Sequence, residues 1–150
     1  MLYTNDHISI SQMQTVADRI IKLLSKKRIV LLYGDLGAGK TQLVKIVGEK
    51  LGIKKNISSP TFLISKHYPI KGKFTLYHYD LYRLKNFSEL VEIGFLDAIS
   101  DINCIVFIEW PDKIKNVKKN LENFVSQKEI ISIYLEHTDN PLIRKIKLSC

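Results

Sequence analysis

The sequence predicts an α/β fold, a three-layer α/β/α arrangement with a mixed, mostly parallel sheet and an antiparallel hairpin section. Three observations predict it. Residues 29–33 and 104–108 are continuously apolar and rich in β-branched side chains, as strands buried on both faces are. Helical spacing of apolar residues appears at Met13, Val16, Ala17, Ile20, Ile21 and Leu24, and again at Leu43, Ile46, Val47 and Leu51. Residues 61–82 and 130–148 each read as two strand-length segments joined by a turn signal.

The elements follow in order. Ser11 with Gln14 three residues later has the form of a capping box and predicts a helix over 12–25. Residues 29–33 are a buried strand, and a glycine-rich loop leads from it into a second helix closed by Gly52. Residues 61–68 read as a strand, 69–73 as a turn and 74–82 as the hairpin partner. Asn86 with Glu89 marks a short helix that continues irregularly through Leu96 and Ile99. Residues 104–108 form the next strand, followed by Glu109, Trp110 and Pro111. The tail reads as strands 130–135 and 142–148 around the turn signal HTDNP. With no repeat, low-complexity tract or linker, residues 1–150 are expected to form one domain.

Composition narrows the class without naming a chemistry. Hydrophobic content of 45% and charged content of 25% are ordinary for a globular chain. No apolar run approaches the roughly 18 residues of a membrane span. The N-terminal stretch MLYTNDHISIS lacks the layout of a signal peptide. Cys104 and Cys150 make neither a disulfide framework nor a metal spacing, so a cytoplasmic location is expected. The net charge of +8 comes from 19 lysines and 4 arginines spread along the chain. Such a spread does not separate a solvated surface from a nucleic-acid contact.

The chemistry begins at GDLGAGKT. Gly34, Gly39, Lys40 and Thr41 fit the pattern G-x-x-x-x-G-K-[ST], between a strand and a helix as that pattern requires. Glycines let successive N–H groups turn inward into an anion nest at a helix N-terminus. Asp35, Leu36, Gly37, Ala38, Gly39, Lys40 and Thr41 are therefore the candidate phosphate-binding residues. Lys40 suits the β- and γ-phosphates, and the Thr41 hydroxyl suits Mg²⁺. Glu109, at the end of an apolar strand, is the candidate acidic metal partner. A guanine-specific protein would carry an N-K-x-D element; none is present, which favours ATP.

Two further clusters stand out. Ser59-Pro60-Thr61 precedes a strand at the place where phosphate-sensing loops sit, and Thr61 has a hydroxyl to offer there. In HYDLYR, period-two geometry places His78, Asp80 and Tyr82 on one strand face and Tyr77, Tyr79 and Leu81 on the other.

GDLGAGKT, SPTF, HYDLYRL and IEWP, in this order and spacing, resemble the TsaE (formerly YjeE) family, the small P-loop ATPase of bacterial threonylcarbamoyladenosine (t6A) synthesis on tRNA. The likeness runs from the first helix through Glu109; the tail from Lys113 onward matches only in general character. The resemblance implies a P-loop fold, weak Mg²⁺-dependent ATP hydrolysis, and work alongside two related partner subunits of TsaD and TsaB type. The former carries the transfer chemistry at adenosine 37, and ATP is needed for its repeated turnover. Contact with tRNA would be indirect, with the lysines at 113–119 the first place to seek any direct one. By the same resemblance Lys40 and Thr41 contact nucleotide and metal, Glu109 binds Mg²⁺, and Thr61 and Asp80 lie near the γ-phosphate, so Asp80, Thr61 and Glu109 are the catalytic candidates. Gln42 departs from a second threonine common in the family, at a position on the helix surface. Two other readings stand beside this one: a small-molecule kinase on a P-loop fold, and a tRNA-binding module with incidental nucleotide binding.

Overall fold

The computed structural model describes residues 3–149, so Cys150 lies outside the described residues, as do Met1 and Leu2. A seven-stranded sheet runs through it. The strands are β1 (Tyr3–Ser9), β2 (Ile29–Tyr33), β3 (Ser65–Pro69), β4 (Thr75–Asp80), β5 (Cys104–Glu109), β6 (Ile130–His137) and β7 (Ile143–Ser149). Their spatial order is β1-β7-β6-β2-β5-β4-β3. The central four, β6, β2, β5 and β4, are parallel; at one edge β7 runs antiparallel to β6 and β1 antiparallel to β7, and at the other β3 runs antiparallel to β4. Helices α1 (Met13–Leu24), α2 (Lys40–Lys50), α3 (Phe87–Glu92), α4 (Phe95–Ser100) and α5 (Val117–Leu121) cover the faces.

Alternation along β2 assigns the two layers. Val30 and Leu32 join a core with Val16, Ile20, Leu43 and Val47 of α1 and α2. Ile29 and Leu31 join a second core with Leu90, Phe95, Ile99 and Leu121 of α3, α4 and α5. All four β2 residues are fully buried. Burying a side chain of this size contributes about 1.5–3 kcal/mol before entropy, and β2 anchors both layers at once. Register then fixes the site: Glu109 pairs with Leu32 on one side and with Asp80 on the other. The ends of β2, β5 and β4 thus open together, at the carboxyl edge where parallel sheets bind ligands.

Three local expectations shift. Helix α1 starts without a side-chain cap; the reciprocal bonds form two residues earlier, Ser9 N–H to Gln12 Oε1 at 2.9 Å and Gln12 N–H to Ser9 Oγ at 3.3 Å, around a 3₁₀ turn. Residues 61–64 are a turn rather than the start of a strand, because Pro60 O accepts from both Leu63 N–H and Ile64 N–H. Ile64 sits at φ +65°, outside any strand conformation. Strand β1 was not expected at all. No helix among the described residues is long and apolar enough to cross a membrane.

Candidate nucleotide site

Gly34 leaves β2 at φ +144°, and a Cβ there would collide with the Leu135 carbonyl oxygen of β6. Only glycine lets the loop start this close to the sheet. Gly39, at φ +105°, makes the turn into α2. Between them the backbone leaves donors free. Among the described residues no acceptor takes the N–H of Gly37, Gly39, Lys40, Thr41 or Gln42, whereas Ala38 N–H closes onto Asp35 O at 3.1 Å. Helix N-termini always expose such groups, and here the glycine loop adds to them.

The loop forms one wall of a 310 Å³ cleft lined by Leu36, Gly37, Gly39, Lys40, Thr41, Gln42, Ser59, Thr61, Asp80, Glu109 and Trp110. Lys40 is buried; its ammonium donates to Gly34 O at 2.5 Å and Asp35 O at 2.9 Å and lies 3.7 Å from the Trp110 ring centroid. Burial pulls its pKa below the ordinary lysine value, against the raising influence of Glu109, Asp80, Asp112 and Asp35. Trp110 holds φ +56°, a strained value for a bulky residue, where the chain turns out of β5.

Opposite the loop, Thr41 Oγ1 donates to Glu109 Oε1 at 2.7 Å, and His78 Nε2 lies 2.7 Å from the same oxygen. His78 Nδ1 is buried without a partner. A proton on Nδ1 would leave a buried donor unpaired, so the bonding pattern assigns it to Nε2, where Glu109 accepts it. Asp80 is the hub of the next cluster. Its Oδ2 accepts from Thr61 Oγ1 at 2.7 Å and Ser59 Oγ at 3.1 Å, and its Oδ1 from Tyr82 N–H at 3.0 Å. A larger hollow of 550 Å³ lies at the opposite end of the sheet, beside Lys26, Lys27 and Arg28. There Lys27 bonds Lys128 O and Arg28 pairs with Glu129, so the cations beside it are engaged with the protein itself.

The family model of the threonylcarbamoyl adenosine biosynthesis protein TsaE matches residues 8–146. The chain belongs to the TsaE family. It is 38% identical over 141 residues to the tRNA threonylcarbamoyladenosine biosynthesis protein TsaE of Rickettsia felis, covering 89% of this chain and 81% of that one. It is 42% identical over 98 residues to the protein of the same name from Haemophilus influenzae, covering 65% and 61%. The crystal structure of Bacillus subtilis YdiB shares the fold at TM-score 0.65 and 24% identity, over 97% of this chain and 82% of that one.

In this TsaE-family chain the structure brings Leu36, Gly37, Gly39, Lys40, Thr41, Thr61, Asp80 and Glu109 to one cleft; the expected Asp35 and Ala38 do not line it, Asp35 reaching Lys40 only through its carbonyl and Ala38 being fully buried beneath the loop. His78 and Asp80 share a face as expected, and both are buried. Tyr82 lies past the end of β4 and packs edge-on against Trp110, ring centroids 5.0 Å apart. Sequence reasoning attached no function to Ser59, His137 or Arg144. Ser59 was visible in SPT; the other two lie in the tail and give no motif signal.

Proposed function

We propose that this chain binds ATP with Mg²⁺ on loop 34–41 and hydrolyses it slowly, as the nucleotide-driven subunit of t6A biosynthesis on tRNA. The observation that carries the ligand is the set of five unpartnered amides beside the Lys40 ammonium. The names of the relatives carry the pathway.

The donor set suits Mg²⁺. Thr41 and Glu109 offer a hydroxyl and a carboxylate from different elements, hard oxygens that leave positions for phosphate and water. Among the described residues no group of three or more His, Cys, Asp or Glu could hold a metal. That matches an ion that shares its coordination with a nucleotide rather than a protein cage. When bound, Mg²⁺ would neutralise charge on the phosphate oxygens.

The chain's own residues do the rest. Lys40 supplies positive charge to the polyphosphate, and His78 orients Glu109 from behind. Asp80, Thr61 and Ser59 order the loop that answers to the third phosphate, and its state sets how the chain docks on transferase subunits of TsaD and TsaB type in the cytoplasm. The transfer chemistry stays with those partners, and tRNA is met through them. Slow hydrolysis fits the arginines: Arg28 is paired with Glu129, Arg19 and Arg83 lie over Tyr3 and Phe62, and Arg144 is bonded to carbonyls. None forms the arginine-bearing lid that a small-molecule kinase needs. The test is Lys40→Ala and Glu109→Ala in a reconstituted system, reading modified tRNA over many turnovers. Repeated turnover should be lost in both; an undiminished yield in either rejects the role.

A further inference from the structure

We propose that Arg144 and His137 are positioning residues of the nucleotide site, gripping three successive loop carbonyls from outside so that the Gly37 and Gly39 amides face the cleft. In a trans peptide, the C=O of one residue and the N–H of the next point in opposite directions. Holding a carbonyl outward therefore aims the following amide inward. His137 Nε2 lies 3.0 Å from Leu36 O, which turns Gly37 N–H the other way. Arg144 Nε donates to Ala38 O at 3.2 Å, which does the same for Gly39 N–H. Arg144 Nη2 donates to Gly37 O at 3.3 Å, and the amide that follows, Ala38 N–H, is the one that closes onto Asp35 O. Gly37 and Gly39 carry two of the five unpartnered amides.

The grip is built on one rung of a hairpin. His137 and Arg144 are register partners across β6 and β7. The guanidinium is anchored to that hairpin by Nη1, which donates to Pro141 O at 2.7 Å and Ile143 O at 2.8 Å. A planar fork tied to two fixed carbonyls presents its remaining donors in a set direction, which a flexible ammonium does not. Among the described ion pairs none includes Arg144, so its charge is spent on the backbone. A cation at the carbonyl end polarises the peptide and strengthens the donor at the other end. Arg144 does not line the cleft, so it acts through the loop and does not touch the nucleotide.

This inference rests on loop 34–41 being the nucleotide cradle, and the test separates the two. The chain holds seven glycines, so glycine-selective ¹⁵N labelling resolves seven amide signals, among them Gly37 and Gly39. Inorganic tripolyphosphate probes the cradle without a base; ATP with Mg²⁺ probes the whole site. In the wild-type chain both should move the Gly37 and Gly39 signals and leave Gly72, on the distant β3–β4 turn, in place. Arg144→Met should weaken both ligands about tenfold and blunt those two shifts, with the Gly72 and Gly94 signals unmoved. Arg144→Lys should recover part of the affinity, and His137→Ala should blunt the Gly37 shift alone. If Arg144→Met fails to fold, Arg144→Lys and His137→Ala decide. Wild-type affinity in Arg144→Met, or in both of the other variants, overturns the positioning role. Absence of any tripolyphosphate or ATP binding by the wild-type chain overturns the cradle itself.

Discussion

His78 and Glu109 form a buried pair across adjacent parallel strands, Nε2 to Oε1 at 2.7 Å, with Thr41 donating to the same oxygen. Both bonds end on Oε1 and neither occupies Oε2. A carboxylate buried this deeply needs fixed donors, and the histidine lies two ladder positions back from Asp80, the residue that pairs with Glu109. That arrangement sets the carboxylate's direction before any ion arrives.

Replacing His78 tests it. His78→Phe keeps a flat ring, slightly larger than the imidazole, and removes the donor, leaving a buried carboxylate with one bond in place of two. The cost should be about 1–3 kcal/mol of stability, read by denaturant melts. The Mg²⁺ concentration needed for half-maximal ATP binding should rise several-fold, followed by the fluorescence of the single tryptophan, Trp110. His78→Gln, whose amide can reach the same oxygen, should recover part of both. A variant that melts lower with an unchanged Mg²⁺ requirement would make His78 a packing residue only.

The loop after β2's helix is held in a strained form. Ile64, a β-branched residue, has φ +65°, and the turn before it is tied to Asp80 through Thr61 and Ser59. Asp80→Ala removes three accepted hydrogen bonds and should release the turn. Amide exchange at Leu63 and Ile64, both bonded to Pro60 O, should speed about tenfold in the nucleotide-free chain. Amides of β2 and β5 should keep their protection. Unaltered exchange at both loop amides would mean that Asp80 does not hold the loop.

What the sequence revealed follows from how local each signal is. The glycine loop between β2 and α2 was legible because glycine, lysine and threonine fall within eight consecutive residues, and the placement of Glu109 at the strand's end because a buried apolar run closes on an acid. The Asn86 cap was legible for the same reason: its side chain accepts from Glu89 N–H three residues on. Strand β1 was hidden. Its sequence YTNDHIS has no two-residue apolar alternation, and it pairs only at the sheet edge with a register shift between Asn5 and Ile8. Phe62 and Leu63 suggested a strand by composition, yet both are exposed, and hydrogen bonds to one proline carbonyl decide their turn. The roles of Arg144 and His137 were invisible because their partners are backbone carbonyls about a hundred residues away, and carbonyls leave no mark in a sequence.

Lys40 makes the site's response to pH predictable. Burial lowers its pKa below the ordinary 10.5, and the anionic phosphates of a bound nucleotide raise it again. Between the lowered value and the raised one, binding must take up a proton, so affinity for ATP falls as pH rises through that alkaline window. Folding of the free chain has the opposite slope. The unfolded lysine keeps its proton up to 10.5, so the penalty for burying the charge is complete below the folded-state value and fades as pH rises toward 10.5. Calorimetric titration of ATP at a series of alkaline pH values below 10.5, in buffers of different ionisation enthalpy, should report proton uptake for the wild-type chain. Lys40→Arg, whose side chain does not titrate there, should bind with that uptake gone. Equal uptake in the two proteins would assign the proton to another group and remove Lys40 from the phosphate contact.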